Sequence, residues 1–329
     1  MKLNLKTTLA AVGLAAATLA SSPAFAEKWN MPVRSNERNY FTRNIMQFAE
    51  EVKKGTDGKV EIVLHPEASL MKQPDVKRGV QTGQVQIGEL LMSMHSNESA
   101  VFGVDSVPFL ASSNEEGAKL LKVVRPLLEE RIEKQGMRLL FVVPWPPNSF
   151  YSGKEIKSTT DFKGAKFRAF NPVTGRLAEL MGAVPVTVQQ SEVSQAFSTG
   201  VIEAMITSPA TGVDTQAWDF VKYFYEVRAM APWNITVVNE RVFKRLDKKS
   251  QDAILAAART AEERGWKLRA EETGKLVQTL KEKGMEVRQP SPELMAELRK
   301  IGEQLIAEWS KSAGEDGPRI LEQYRKALN

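Results

Sequence analysis

Apolar positions along this chain switch repeatedly between helical and strand spacing. Phe41, Ile45, Phe48 and Val52 recur every three or four residues, which predicts an amphipathic helix over 39–54. Val60, Ile62 and Leu64 alternate with polar residues and predict a strand. Pro74 opens a short helix that stops at Thr82-Gly83, and a strand follows over 85–87. Ser113 and Glu116 form a capping-box pattern ahead of a long helix through Leu120, Leu121 and Val124. Leu139 to Val143 reads as a buried strand.

The pattern then restarts. A strand is expected over 167–170, and a helix over 177–181 that Gly182 stops. A second strand follows over 184–188, then a helix capped by Ser191 and ending at Thr199-Gly200, then a strand over 201–206. Gln81-Thr82-Gly83-Gln84-Val85 and Ser198-Thr199-Gly200-Val201-Ile202 thus repeat one theme of helix, Thr-Gly stop and strand. Further strands are expected over 235–238 and 285–288, with helices over 250–283, 292–309 and 318–328. Alternating elements of this kind predict an α/β fold of two similar lobes with largely parallel pairing. No low-complexity linker separates the halves, so discontinuous lobes are expected.

The first 26 residues stand apart from this pattern. Lys2 and Lys6 precede an apolar run from Leu9 to Leu19, and Pro23 and Ala24-Phe25-Ala26 precede Glu27. That is the arrangement of a secretory signal peptide. The run is shorter than the roughly 20 residues a membrane-spanning helix needs. The expectation is a mature chain that starts near Glu27, soluble in the periplasm.

Composition narrows the function. The chain has no cysteine, so disulfides, thiolate chemistry and cysteine metal sites are excluded. Its only histidines, His65 and His95, do not make a zinc site, and no metal or cofactor is expected. The net charge is +5 from 45 basic and 40 acidic residues. The basic residues are interspersed with acids, which argues against nucleic acid. No P-loop, Gly-x-Ser-x-Gly or Gly-x-Gly-x-x-Gly element occurs. Ser69-Leu70-Met71-Lys72 matches Ser-x-x-Lys but lacks the companion elements of penicillin-binding enzymes. An exported two-lobed protein without catalytic groups is expected to bind a solute in the cleft between its lobes. An exported α/β enzyme acting on small organic acids remains the alternative.

The segment from Trp145 to Ser208 carries the candidate chemistry. Arg168 stands among Phe167, Ala169 and Phe170 at the end of an apolar strand. An arginine there either pairs with an acidic residue of the protein or faces a cleft. In a cleft its planar fork can hold a carboxylate by two parallel hydrogen bonds.

Several motifs in fixed order carry a family resemblance. They are Val107-Pro108-Phe109-Leu110, Asp161-Phe162-Lys163-Gly164 with Arg168 and Asn171, Gly182-Ala183-Val184-Pro185, Ser191-Glu192-Val193 with Ala196, Thr199-Gly200-Val201-Ile202-Glu203, and Phe224-Tyr225-Glu226-Val227. With these the chain resembles the extracytoplasmic solute receptors of tripartite ATP-independent periplasmic (TRAP) transporters, the C4-dicarboxylate-binding DctP type. The resemblance implies two α/β lobes joined by hinge strands, with a long helix spanning both. Lobe one is expected over 27–145 with about 235–280, and lobe two over 146–234 with about 281–310. A helical tail is expected over 311–329. The resemblance also implies that Arg168 forms a salt bridge with a ligand carboxylate, that Asn171 lies beside it, and that the loaded receptor docks on a permease with small and large membrane subunits. Delivery to a sensor kinase is the rival to transport.

Departures from sialic-acid-binding members bear on the ligand. Asn148 replaces a second arginine of those members and Leu90-Leu91-Met92 a cleft glutamate, while the Gln-Glu-Asn-Pro element of many members becomes Met205-Ile206-Thr207-Ser208-Pro209 and the Phe often found after the Gly-Ala-x-Pro strand is Gln190. Several polar partners of a sugar acid are thereby exchanged for apolar groups. Trp145, Tyr151 and Leu91 suit an apolar or aromatic body. The expected ligand is a carboxylate with such a part, a uronate-type sugar acid being the alternative. The break at Ala313-Gly314 in the C-terminal helices favours a monomer.

Overall fold

A computed structural model describes residues 26–329. Apart from Ala26, the expected signal peptide lies outside the described residues. In chain order the elements are β1 (Glu27–Pro32), α1 (Tyr40–Gly55), β2 (Val60–His65), α2 (Gln73–Thr82), β3 (Ile87–Leu91), α3 (Asn114–Lys134), β4 (Met137–Pro144) and β5 (Asn148–Ser152). They continue with β6 (Lys166–Ala169), α4 (Pro172–Leu180), β7 (Val184–Thr187), α5 (Val193–Ser198), β8 (Ala204–Thr207), α6 (Pro209–Asp214) and β9 (Tyr223–Met230). The last are β10 (Trp233–Asn239), α7 (Glu240–Arg245), α8 (Lys248–Glu282), β11 (Glu286–Arg288), α9 (Pro292–Ser312) and α10 (Asp316–Leu328).

One lobe is built on the parallel pair β1–β2 and the antiparallel sheet β3-β10-β4. The other is built on a mixed sheet of order β11-β9-β5-β8-β6-β7. The expectation of largely parallel pairing is corrected, because half of the strand pairs are antiparallel. The chain leaves the first sheet between β4 and β5 and returns between β9 and β10. These two crossings run in opposite directions. β4 therefore pairs antiparallel with β10, and β5 with β9.

The 35-residue helix α8 lies against both lobes, packing on α1 and β4 and also on α6 and β11. Gly265 permits the close approach, since a Cβ there would lie 2.4 Å from Cγ2 of Val143. Trp266 Nε1 donates to the Val142 carbonyl at 2.9 Å, and Asn44 Nδ2 to that of Ala261 at 2.9 Å. α10 folds back on α3, where Tyr324 donates its hydroxyl to the Leu110 carbonyl at 3.2 Å.

Local signals account for most boundaries. Ser113 and Glu116 form the expected reciprocal cap of α3. Gly83 and Gly200 adopt φ of 81° and 69°, the left-handed conformation that stops a helix at little steric cost. The following strands begin only at Ile87 and Ala204, later than expected, because the chain must first turn out of that conformation. Ser191 is not a cap. It lies inside a single 3-10 turn, and Gln189 with Glu192 makes the capping box there. β5 gave no alternation to read, because all five of its residues are buried.

Candidate ligand-binding site

Arg168 sits on β6 between β7 and β8, opposite Val186 and Met205. It is 1% exposed. Its Nε donates to the Val188 carbonyl at 3.0 Å. Nη1 and Nη2 are buried without a hydrogen-bond partner among the described residues. The guanidinium carbon lies 5.5 Å from the centroid of the Phe170 ring. Burial, and then the nearby Arg34 cation, push its pKa down to about 9, so it stays charged at neutral pH. Leaving a buried ion uncompensated costs several kcal/mol, on the order of 3–5. The arrangement is chemically incomplete without an anion.

A small cavity of about 20 Å³ lies beside Phe170. Of the candidates from sequence, the structure brings Leu91, Trp145, Asn148, Gln190, Thr207 and Ser208 to its wall. Arg34, Phe170, Thr211 and Pro232 complete it. Leu91 ends β3, and Asn148 and Thr207 lie on the neighbouring strands β5 and β8. Asn148 and Thr207 are buried residues that line the cavity, and their side chains form no protein hydrogen bond among the described residues. They are free to address a ligand. Ser208 is committed instead to capping α6 through Thr211 N at 3.1 Å.

Arg34 was missed in the sequence because it stands alone, just after β1, with no motif around it. Its backbone N–H donates to Glu89 Oε2 at 2.9 Å, and its Nε to Gln190 Oε1 at 2.8 Å. The second bond joins the two lobes. Burial pushes its pKa down to about 10, against the opposing pull of Glu89 and Asp214. Trp145 lies beneath it, with the guanidinium carbon 5.8 Å from the ring. Trp145 Nε1 donates to Asn234 Oδ1 at 2.9 Å, and Asn234 Nδ2 donates to Glu89. Glu89 thus anchors both Arg34 and, through Asn234, the Trp145 ring. Burial raises its pKa.

Arg168 is not among the residues that line this cavity, although its neighbour Phe170 is, and two further candidates lie elsewhere. Tyr151 is fully buried in the core beside Phe224, their rings 4.8 Å apart, and donates to the Ser208 carbonyl at 3.1 Å. It supports the cavity from behind and does not line it. Asn171 caps α4, its Oδ1 accepting from Thr174 N at 2.8 Å. Its Nδ2 donates to Ser93 and Ser106 Oγ at 2.9 and 3.1 Å, across to the other lobe. Its polar atoms are consumed in holding the lobes together.

A larger cavity of about 590 Å³ lies against β4 and α8. Arg125 pairs with Glu262 there and Arg138 with Glu240. Arg259, Glu133 and Glu263 also line it but are exposed to solvent, so it offers no buried uncompensated charge. No cluster of three or more His, Asp or Glu among the described residues could hold a metal ion, and none of their helices is long and apolar enough to cross a membrane.

Residues 34–312 match the model of the DctP family, bacterial extracellular solute-binding proteins of family 7. The chain belongs to that family. It is a two-lobed TRAP-type solute receptor and not an enzyme, as its solved relatives also are. DctP7, an extracytoplasmic solute receptor of Bordetella pertussis binding pyroglutamic acid, is 49% identical, covering 91% of this chain and 100% of that one at a TM-score of 0.90. DctP6 of the same organism, also binding pyroglutamic acid, is 41% identical over 91% and 100%, with a TM-score of 0.89. A TRAP solute-binding protein specific for pyroglutamate, from an unidentified marine metagenome microbe, is 36% identical over 92% and 99%, with a TM-score of 0.90.

Proposed function

We propose that this receptor captures pyroglutamate, or a closely similar small cyclic carboxylate, in the periplasm and delivers it to the membrane subunits of a TRAP permease. The observation that carries the reading is Arg168, a buried cation whose two Nη groups have no protein partner. It takes the ligand carboxylate. The uncommitted Asn148 amide and Thr207 hydroxyl meet the N–H and carbonyl of a lactam ring. Trp145, Leu91, Phe170 and Pro232 give that ring apolar walls. A compact ring suits this site better than an aromatic body, because Tyr151 lies behind the wall. The relatives at 36–49% identity support the same choice. The lobes act as the discontinuous domains outlined above, hinged at the two strand crossings. A monomer is favoured, with α10 packed on its own chain.

Calorimetric titration with pyroglutamate, succinate, an aromatic acid and a sugar acid tests the ligand. Saturable binding of pyroglutamate well ahead of the others is expected; preference for the sugar acid would overturn the reading. Charge-assisted hydrogen bonds contribute about 1.5–3 kcal/mol each, so Arg168→Ala should weaken binding by about a hundredfold or more. The same variant should melt no lower than wild type without ligand, because it removes an uncompensated buried charge.

A further inference from the structure

We propose that Arg34 is a second ligand-binding cation, supplied by the lobe opposite Arg168, and that one ligand carboxylate shared between the two arginines makes negative charge the requirement for lobe closure. The inference rests on the carboxylate reading above and adds a residue and a selectivity rule to it. Arg34 follows β1 in one lobe, whereas Arg168 lies on β6 in the other. Arg34 lines the cavity. Its backbone N–H is fixed by Glu89, its Nε by Gln190 across the cleft, and its guanidinium lies over Trp145. Neither of its Nη atoms has a protein partner among the described residues, and Nη1 is fully buried.

The two guanidiniums therefore lie within electrostatic reach of one another from opposite lobes, each with donors to spare. Glu89 and Asp214 lie close enough to favour the Arg34 cation, but their oxygens are held by Arg34 N, Asn234, Asn36, Asn39 and Gln190, and neither forms a salt bridge with the Arg34 or Arg168 guanidinium. Like charges resist being brought together in a poorly solvated cleft. An anion placed between them reverses the sign of that interaction. It does so only when the lobes are together, which is the differential contact that closure requires. A neutral ligand of the same shape fills the cavity but leaves the repulsion standing.

The test is titration of pyroglutamate and of its neutral primary amide into wild type, Arg34→Gln and Arg34→Lys, with melting temperatures recorded for each protein. R34Q should lose about tenfold or more in affinity for the acid and less than about threefold for the amide, a loss matching the removal of one charge-assisted contact. R34K should retain most of the preference for the acid, since it keeps the charge. R34Q that binds the acid as wild type does, or that loses acid and amide equally, would overturn the proposal by leaving Arg34 a purely structural role. R34K that loses the preference as fully as R34Q would overturn its electrostatic basis. Wild-type protein that binds no pyroglutamate overturns the ligand assignment itself, a result visible before any variant is made.

Discussion

Buried charge is the informative signal at the scale of single residues. Arg168 and Asp105 are both fully buried with polar atoms that lack partners, but they differ in consequence. The donors of Arg168 face no protein acceptor, and the proposed ligand carboxylate takes them. Asp105 Oδ2 accepts from Trp233 N at 2.6 Å, where the chain re-enters the first sheet, and its Oδ1 has no partner. Burial raises its pKa from 3.8 to about 7. A carboxyl raised on folding favours the folded state fully below its unfolded pKa, and that advantage is lost as pH climbs through about 7. Asp105→Asn keeps an acceptor for Trp233 N but cannot ionise. The gap in melting temperature between variant and wild type should therefore grow in the variant's favour from pH 5 to pH 8, by an amount equivalent to about 2 kcal/mol. A gap that does not change with pH would show that Asp105 is already ionised in the folded protein at pH 5, its pKa not raised by burial. Arg168 itself was legible in the sequence, because an arginine among Phe167, Ala169 and Phe170 contradicts its surroundings. Arg34 was not, because only folding brings it opposite Arg168.

At the scale of elements, helix ends were written locally and strand partners were not. Glycines 83 and 200 and the Ser113–Glu116 box act within a few residues of themselves. The cap of α4 has a wider reach. Asn171 satisfies Thr174 N in its own lobe and donates to Ser93 and Ser106 in the other. Replacing it by alanine removes a cap worth about 1 kcal/mol together with two contacts between lobes. Asn171→Ala should lower stability by about 1–2 kcal/mol in chemical denaturation. It should weaken pyroglutamate binding only a few-fold, because its amide does not line the cavity. A loss as deep as that of Arg168→Ala would instead place Asn171 in direct contact with the ligand.

At the scale of the whole molecule, the site belongs to neither lobe. Leu91 and Trp145 face Asn148, Phe170 and Thr207 across a cavity whose walls are almost wholly buried. The proposed capture therefore calls for the lobes to part and close again, with α8 packed on both. Small-angle scattering should show a decrease in radius of gyration on adding saturating pyroglutamate, and no decrease in Arg168→Ala. An unchanged radius in wild type would show that capture does not involve closure.

By itself the sequence determined the alternation of α and β elements, the stops of its helices, the absence of cysteine chemistry and the misplaced arginine. Each depends on neighbours a few positions away, or on composition alone. The tertiary structure decided which strands run antiparallel, that Tyr151 and Asn171 bond to protein partners away from the cavity wall, and that Arg34 lines the cavity. Those properties arise from chain crossings and contacts between residues more than a hundred positions apart, such as Arg34 with Gln190, and no local pattern encodes such a distance.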